Sequence, residues 1–183
     1  ISRGNTSVYV ESGGVLENSG DVFTLGADGY KLLLNGGTIR GGNIASVDDT
    51  RFVATSNDGS LVGVTLDSDG VLQTGSIVTV ANDLTVNGLL RIERTNNSSS
   101  DTYDTGMHFS GGDQTLGGSG VVELYSALTF SNQENDVRIR STGGGSLTIG
   151  ADTTVRNATD SRFTTIGDGS RPLTILGTVI SQS

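Results

Sequence analysis

The chain has 183 residues and a formal net charge of −9, which argues against nucleic acid and anionic membrane surfaces as partners. It contains no cysteine, which excludes disulfides, thiolate metal sites and cysteine nucleophiles, and it has no apolar run long enough to cross a bilayer. Glycine is abundant, with 28 copies, and hydrophobic residues make up only 33 %. Because the apolar residues fall in short β-branched clusters, as at residues 77–80, we expect an ordered chain.

Apolar steps that begin with glycine recur along the chain and predict a repeat. Each step is a glycine followed within three residues by an apolar or β-branched pair. The shortest intervals between successive steps, 23 and 22 residues, predict a coil of roughly 22 residues that carries insertions where the interval is longer. Similar steps at Gly70 and Gly75 are assigned to the interior of coils. The glycines that set the period are Gly14, Gly37, Gly59, Gly88, Gly120, Gly145 and Gly177.

Apolar and polar residues alternate over only three positions within each coil. The triplets 84–86, 90–92, 137–139, 147–149 and 173–175 all follow this pattern, which is typical of short strands with one buried face. Asn-Gly and Asp-Gly steps separate the strands and predict corners with positive φ, because both residue types tolerate that conformation. No window has helical spacing, so almost no helix is expected. The polar run that begins at Thr95 predicts a surface loop insertion over 95–106.

Two all-β architectures are compatible with these short strands. Asn-Gly steps between alternating runs are also a signal for antiparallel hairpins in a sandwich or barrel. A sandwich usually has longer strands and an aromatic-rich core, whereas aromatic residues are only 5 % of this chain. A parallel β-helix, a solenoid whose coils stack at about 4.8 Å, explains the triplet strands and the drifting repeat better. The sandwich stays open as the alternative.

Three stretches carry a resemblance to a known group of proteins: residues 34–39 (LNGGTI), 109–120 (FSGGDQTLGGSG) and 145–155 (GSLTIGADTTV). They resemble filamentous-haemagglutinin-like and autotransporter-type bacterial surface exoproteins. The resemblance implies a right-handed parallel β-helix that is exported and forms a shaft, an adhesin or a matrix fibre. It brings no shared catalytic residues, and none are predicted here.

The expected function is therefore that of a non-enzymatic, extracellular structural or adhesive module at the bacterial cell surface. Residues 1–183 are interpreted as one β-helix segment of a longer chain, because the sequence lacks an initial Met and stops in mid-pattern. A solenoid can lengthen without a larger core, and its open strand edges must be capped or paired. We expect the ends to join further coils of the same chain or to stack end to end with another copy. Surface carbohydrate is a further expected partner, and membrane insertion is not expected.

Carboxylates supply the candidates for an alternative function, a polysaccharide-degrading or polysaccharide-binding β-helix protein such as a lyase, a hydrolase or a phage-type spike. Glycosidases need two carboxylates across a groove. Since turns favour aspartate, solvated turn residues are the competing interpretation and no active site is expected. The candidate pairs are Asp48 with Asp49, Asp67 with Asp69, and Asp101 with Asp104 near His108.

One short motif indicates a cation. Asp67-Ser68-Asp69-Gly70 has the Asp-x-Asp-Gly pattern of a calcium loop, in which a tight turn presents several oxygens. It lacks the distal glutamate of an EF-hand, so an ordinary aspartate turn is the alternative. Calcium bound by Asp67 and Asp69 is the only cofactor predicted. His108 is the single histidine and is expected to lie on a strand surface beside Phe109.

Overall fold

The computed structural model describes residues 7–26, 30–47, 51–95, 104–127 and 137–182. These residues form twenty strands and no helix. The strands are β1 (Val8–Glu11), β2 (Val15–Glu17), β3 (Val22–Leu25), β4 (Leu32–Asn35), β5 (Thr38–Arg40), β6 (Asn43–Ser46), β7 (Phe52–Ala54), β8 (Gly59–Asp67), β9 (Gly70–Leu72), β10 (Ile77–Val86), β11 (Leu89–Arg94), β12 (Thr105–Phe109), β13 (Gln114–Gly117), β14 (Val121–Ser126), β15 (Val137–Ser141), β16 (Leu147–Ile149), β17 (Thr154–Asn157), β18 (Thr164–Ile166), β19 (Leu173–Ile175) and β20 (Thr178–Ile180).

The strands stack in three parallel rows that the chain visits in turn. Row one is β1, β4, β7, β9, β11, β14, β17 and β20. Row two contains β2, β5, β12, β15 and β18, and row three contains β3, β6, β13, β16 and β19. The long strands β8 and β10 belong to both rows, their first halves to row two and their second halves to row three. All strand pairings among the described residues are parallel, which confirms the all-β, solenoid-like architecture and rules out the antiparallel sandwich.

The strand register corrects the assignment of one glycine step. Gly75 precedes β10, which begins in row two as β5 and β8 do, so this step opens the next coil. Gly70 is the first residue of β9 in row one and lies within the coil that begins at Gly59. Phe52 pairs with Gly70, 18 residues further on, whereas Leu89 pairs with Val121, 32 residues further on. A glycine occurs before strands of every row. The interval between two successive glycine steps can therefore join strands of different rows, and it is then not the length of one coil.

The predicted loop insertion 95–106 extends too far at its end. Residues 96–103 lie outside the described residues, but Thr105 and Gly106 are the first residues of β12. Glycine is needed at position 106 because a Cβ there would lie 2.1 Å from the carbonyl oxygen of Arg138 on the next strand of row two. This glycine therefore marks close strand stacking and not a loop.

Aliphatic side chains from successive strands form continuous columns in the interior. One column in row one contains Leu32, Phe52, Gly70, Leu90 and Val122, whose apolar side chains are at most 1 % exposed. Burying each of these large side chains contributes roughly 1.5–3 kcal/mol. Gly70 makes room for its neighbours, since a Cβ there would lie 3.0 Å from Leu90 Cδ1 and 3.2 Å from Phe52 Cδ1. The predicted inward and outward alternation is confirmed at 84–86, 90–92, 137–139 and 147–149. It is wrong at 173–175, where Ile175 is exposed because no further described strand stacks on β19.

The corners of the coils are held by aspartate and asparagine side chains. At five corners, a side-chain oxygen accepts a hydrogen bond from a backbone N–H of the following coil, so these residues satisfy donors that a corner would otherwise leave unpaired. Positive φ, which the Asn-Gly and Asp-Gly steps predict, occurs at Gly36, at Asp58 and at Gly169, but at neither residue of the steps at Asp69 and Asn87. The five bonds are Ile77 N–Asp58 Oδ1 (2.8 Å), Leu89 N–Asp69 Oδ1 (2.8 Å), Thr115 N–Asp83 Oδ1 (2.6 Å), Ser119 N–Asn87 Oδ1 (3.1 Å) and Ser146 N–Asp113 Oδ1 (2.8 Å).

Candidate functional site

Asp67 belongs to a polar ladder that connects three coils. One carboxylate oxygen accepts a hydrogen bond from the Asn43 amide of the preceding coil, and the other accepts one from Asn87 Nδ2 of the following coil at 2.6 Å. Asp69 uses Oδ1 to cap the backbone N–H of Leu89 at 2.8 Å. A calcium ion bound by Asp67 would compete with its two amide donors. Among the described residues, no three or more His, Asp or Glu side chains are grouped as a metal site would require, and calcium binding stays a prediction.

The other carboxylate candidates are only partly placed. Asp48, Asp49 and Asp101 lie outside the described residues. Asp104 lies between two arginines of β15, with its Oδ2 3.7 Å from Arg138 Nη1 and 3.8 Å from Arg140 Nη2. These contacts make Asp104 part of an ion cluster on the outer surface of row two.

His108 joins this cluster in its neutral form. Arg140 Nε donates a hydrogen bond to His108 Nε2 at 3.0 Å. Burial of the ring, and the positive charges of Arg140 and Arg138, lower the pKa of His108 from 6.5 to about 4. The ring is half-buried on the outer side of β12, next to the fully buried Phe109, as the sequence predicts. His108 therefore contributes to the structure of this cluster, because its neutral ring already accepts a hydrogen bond through Nε2.

A charged ladder on the outer surface of row one was missed by sequence reasoning. Arg91, Glu123 and Arg156 are aligned in successive strands. Glu123 Oε1 is 3.1 Å from Arg91 Nη1, and its Oε2 is 2.9 Å from Arg156 Nη2. The Glu123 side chain is only 11 % exposed, and the Arg91 guanidinium lies 4.5 Å from the centre of the Tyr125 ring. The three residues are 32 and 33 positions apart, so no local motif indicates that they meet.

A groove of about 230 Å³ lies on the same surface, next to this ladder. Its apolar part is formed by Val71 and Leu89, which are half-buried. Its polar part contains two guanidiniums and two carboxylates. The full lining is Arg51, Asp69, Gly70, Val71, Leu89, Arg91 and Glu93.

The interior columns are open at both ends of the described part of the chain. Val8 aligns with the buried Leu32 but is 44 % exposed. At the other end, Val179 aligns with the buried Val155 and is 45 % exposed, and Ile175 aligns with Ile149 and is 48 % exposed. The last strand, β20, is exposed at all three residues. Apolar side chains that would lie in the core of a longer stack are therefore accessible at the ends.

Comparison with known proteins gave no match, whether to a family model, a curated protein or a solved structure. Among the described residues, no helix is long and apolar enough to span a membrane. The geometry of the fold and of its surfaces is therefore the basis for a functional proposal.

Proposed function

We propose that this chain is a non-enzymatic, extracellular structural or adhesive module, a shaft of a bacterial surface adhesin or a subunit of an extracellular fibre. In this proposal the three rows form a right-handed parallel β-helix with coils of roughly 22 residues and insertions. One observation carries it: the apolar interior columns continue through the described strands and are still exposed at both ends.

The way the strands contact one another favours a shaft. Each strand pairs with the strand before it and the strand after it in its row, so a coil is stabilised by its two neighbours. Such an array can lengthen without a larger core. The residues that bridge coils, such as Asp69 and Asp113, repeat the same contact from one coil to the next. These repeated contacts would stabilise a long and rigid stack of coils.

The proposed partner of each end is another coil, either of the same chain or of a second copy. Val8 at one end and Ile175 and Val179 at the other are inward residues that have a stacked neighbour on one side only in the described part of the chain. Strand edges with free backbone groups favour pairing with a further strand. Because all row pairings are parallel, the stacking should be head to tail, which gives an open filament rather than a closed dimer.

Light scattering and negative-stain microscopy of the purified chain test this proposal. We expect oligomers that lengthen with concentration, because the exposed columns of one copy stack on those of the next. Val179→Lys should abolish the assembly by placing a charge in the column. Thr174→Lys is the matched control, because Thr174 is an exposed outward residue of the neighbouring strand β19. A chain that stays monomeric at high concentration would contradict end-to-end stacking.

The groove on row one favours a second candidate function, binding or degradation of a polysaccharide. Asp69 and Glu93 both line this groove, and a pair of carboxylates is what glycosidases use. Depolymerisation assays on acidic polysaccharides separate this function from the first, and loss of activity in Asp69→Asn would support it.

Calcium at Asp67 and Asp69 is proposed only as a stabilising ligand. A melting temperature that a chelator leaves unchanged would argue against it.

A further inference from the structure

We propose that the groove on the outer surface of row one binds a single neutral pyranose residue of a glycan. This site adds carbohydrate binding to the adhesive function proposed above, and it rests on that proposal only for the source of the glycan. The groove lies between β9 and β11, where Val71 aligns with Arg91 and Asp69 accepts a hydrogen bond from Leu89 N. It is placed among paired strands in the middle of row one, away from the exposed ends.

The size and the floor of the groove fit one sugar ring. Its volume of about 230 Å³ is below that of pockets for drug-sized ligands, which begin at roughly 300 Å³. Val71 and Leu89 give it a half-buried apolar floor, which suits the C–H face of a pyranose. Binding sites of this kind combine such an apolar surface with a few well-placed polar groups.

Contacts within the protein hold Arg91, Glu93 and Asp69 of the groove in place before any ligand arrives. The Arg91 guanidinium contacts Glu123 Oε1 at 3.1 Å and Glu93 Oε2 at 3.4 Å, and it lies over the ring of Tyr125. Asp69 is fixed by its hydrogen bond from Leu89 N, which engages only one of its two carboxylate oxygens. Binding of a ligand therefore costs little conformational entropy in these side chains.

The charges of the lining select a neutral ligand. Arg51 and Arg91 provide two guanidiniums, and Asp69 and Glu93 provide two carboxylates. Arg51 is exposed. Sugar hydroxyls can donate to the carboxylates and accept from the guanidiniums at once. Because these four charges sum to zero, a charged ligand gains no net attraction from the lining, while its desolvation costs more than that of a neutral sugar.

Titration of the purified chain with methyl glycosides tests the site. The probes are the methyl pyranosides of glucose, galactose, mannose and N-acetylglucosamine, with glucuronate as the charged comparison, followed by saturation-transfer NMR and calorimetry. We expect at least one neutral glycoside to bind with a Kd of about 1 mM and glucuronate to bind more weakly. Val71→Lys should abolish binding by filling the groove, and Glu93→Gln should weaken it about tenfold through the loss of a charged acceptor.

Two controls make the outcome decisive. Glu17→Gln removes an exposed carboxylate that pairs with Arg40 on row two, and it should leave binding unchanged. Circular dichroism and melting of each variant establish that it is folded. Absence of binding by every neutral glycoside, a preference for glucuronate, or binding that survives both Val71→Lys and Glu93→Gln would overturn the proposal. Measurement on the Val179→Lys chain separates this result from the assembly of the ends.

Discussion

Replacing Gly106 with alanine should destabilise the protein by about 2–3 kcal/mol. Gly106 lies in β12, with Ile77 of β10 on one side and Arg138 of β15 on the other. An added Cβ would be 2.1 Å from the carbonyl oxygen of Arg138, 3.0 Å from its carbonyl carbon and 3.2 Å from its nitrogen. Ordinary contacts between carbon and carbonyl oxygen begin at about 3.3 Å, so β12 and β15 would have to separate by about 1 Å.

The magnitude follows from three contributions. Overpacking a tight site costs about 1–3 kcal/mol, and each stretched ladder hydrogen bond adds about 0.5–1.5 kcal/mol. Alanine also reduces the conformational entropy of the unfolded chain, which offsets about 0.4–1 kcal/mol of this cost. Gly112→Ala is the control because no heavy atom lies within 4 Å of a Cβ at that position. For Gly112→Ala only the entropic contribution remains, so its stability should be equal to the parent or slightly higher.

Urea unfolding followed by far-UV circular dichroism measures both variants against the parent chain. A lower midpoint for Gly106→Ala at an unchanged m-value would give the expected loss of free energy of unfolding. Equal midpoints for Gly106→Ala and Gly112→Ala would refute the reasoning, because they would mean that β12 and β15 are not stacked in this register. The comparison therefore tests the path of the chain as well as one glycine.

Two further predictions concern ionisable groups. The pKa of His108 is lowered to about 4 in the folded chain, so the unfolded chain binds more protons between pH 4 and 6.5. The free energy of unfolding should therefore fall by about 1–2 kcal/mol as the pH drops from 6.5 to 4, a value that includes solvent screening of the half-buried ring. In urea titrations at different pH, His108→Gln should lack this decrease. Glu123→Gln should lower the free energy of unfolding by about 1–2 kcal/mol, because Arg91 and Arg156 lose their shared carboxylate; an unchanged urea midpoint would mean that the ladder contributes nothing.

The strands and their exposure could be predicted from the sequence because they depend on neighbouring residues. The triplets at 90–92 and 147–149 place alternate side chains inward and outward, and the burial of each residue agrees with that pattern. The rows could not be assigned in the same way. A glycine such as Gly88 or Gly145 precedes a strand in one row or another, and nothing in its immediate surroundings identifies the row.

The candidate sites were harder still to predict, because they are formed by residues that are distant in the chain. Asp67 and Asp69 form a convincing cation motif as four consecutive residues, yet the partners of Asp67 are Asn43 and Asn87, 24 and 20 residues away. The groove was not foreseen, because its lining comes from segments before β7, around β9 and within β11. Only the register brings these segments together, and the register is set by loop lengths that local patterns do not show.

Stacking at a fixed spacing constrains the outer surface as strongly as the core. Residues at the same position of successive strands are neighbours, and like charges placed there would repel. The acidic chain meets this constraint at Glu123, which lies between Arg91 and Arg156 in register, and at Asp67, which accepts hydrogen bonds from the neutral amides of Asn43 and Asn87. The identity of an outer residue is therefore selected by its neighbours one coil away. A chain built under this rule can add coils and stay acidic, which is compatible with the shaft proposed above.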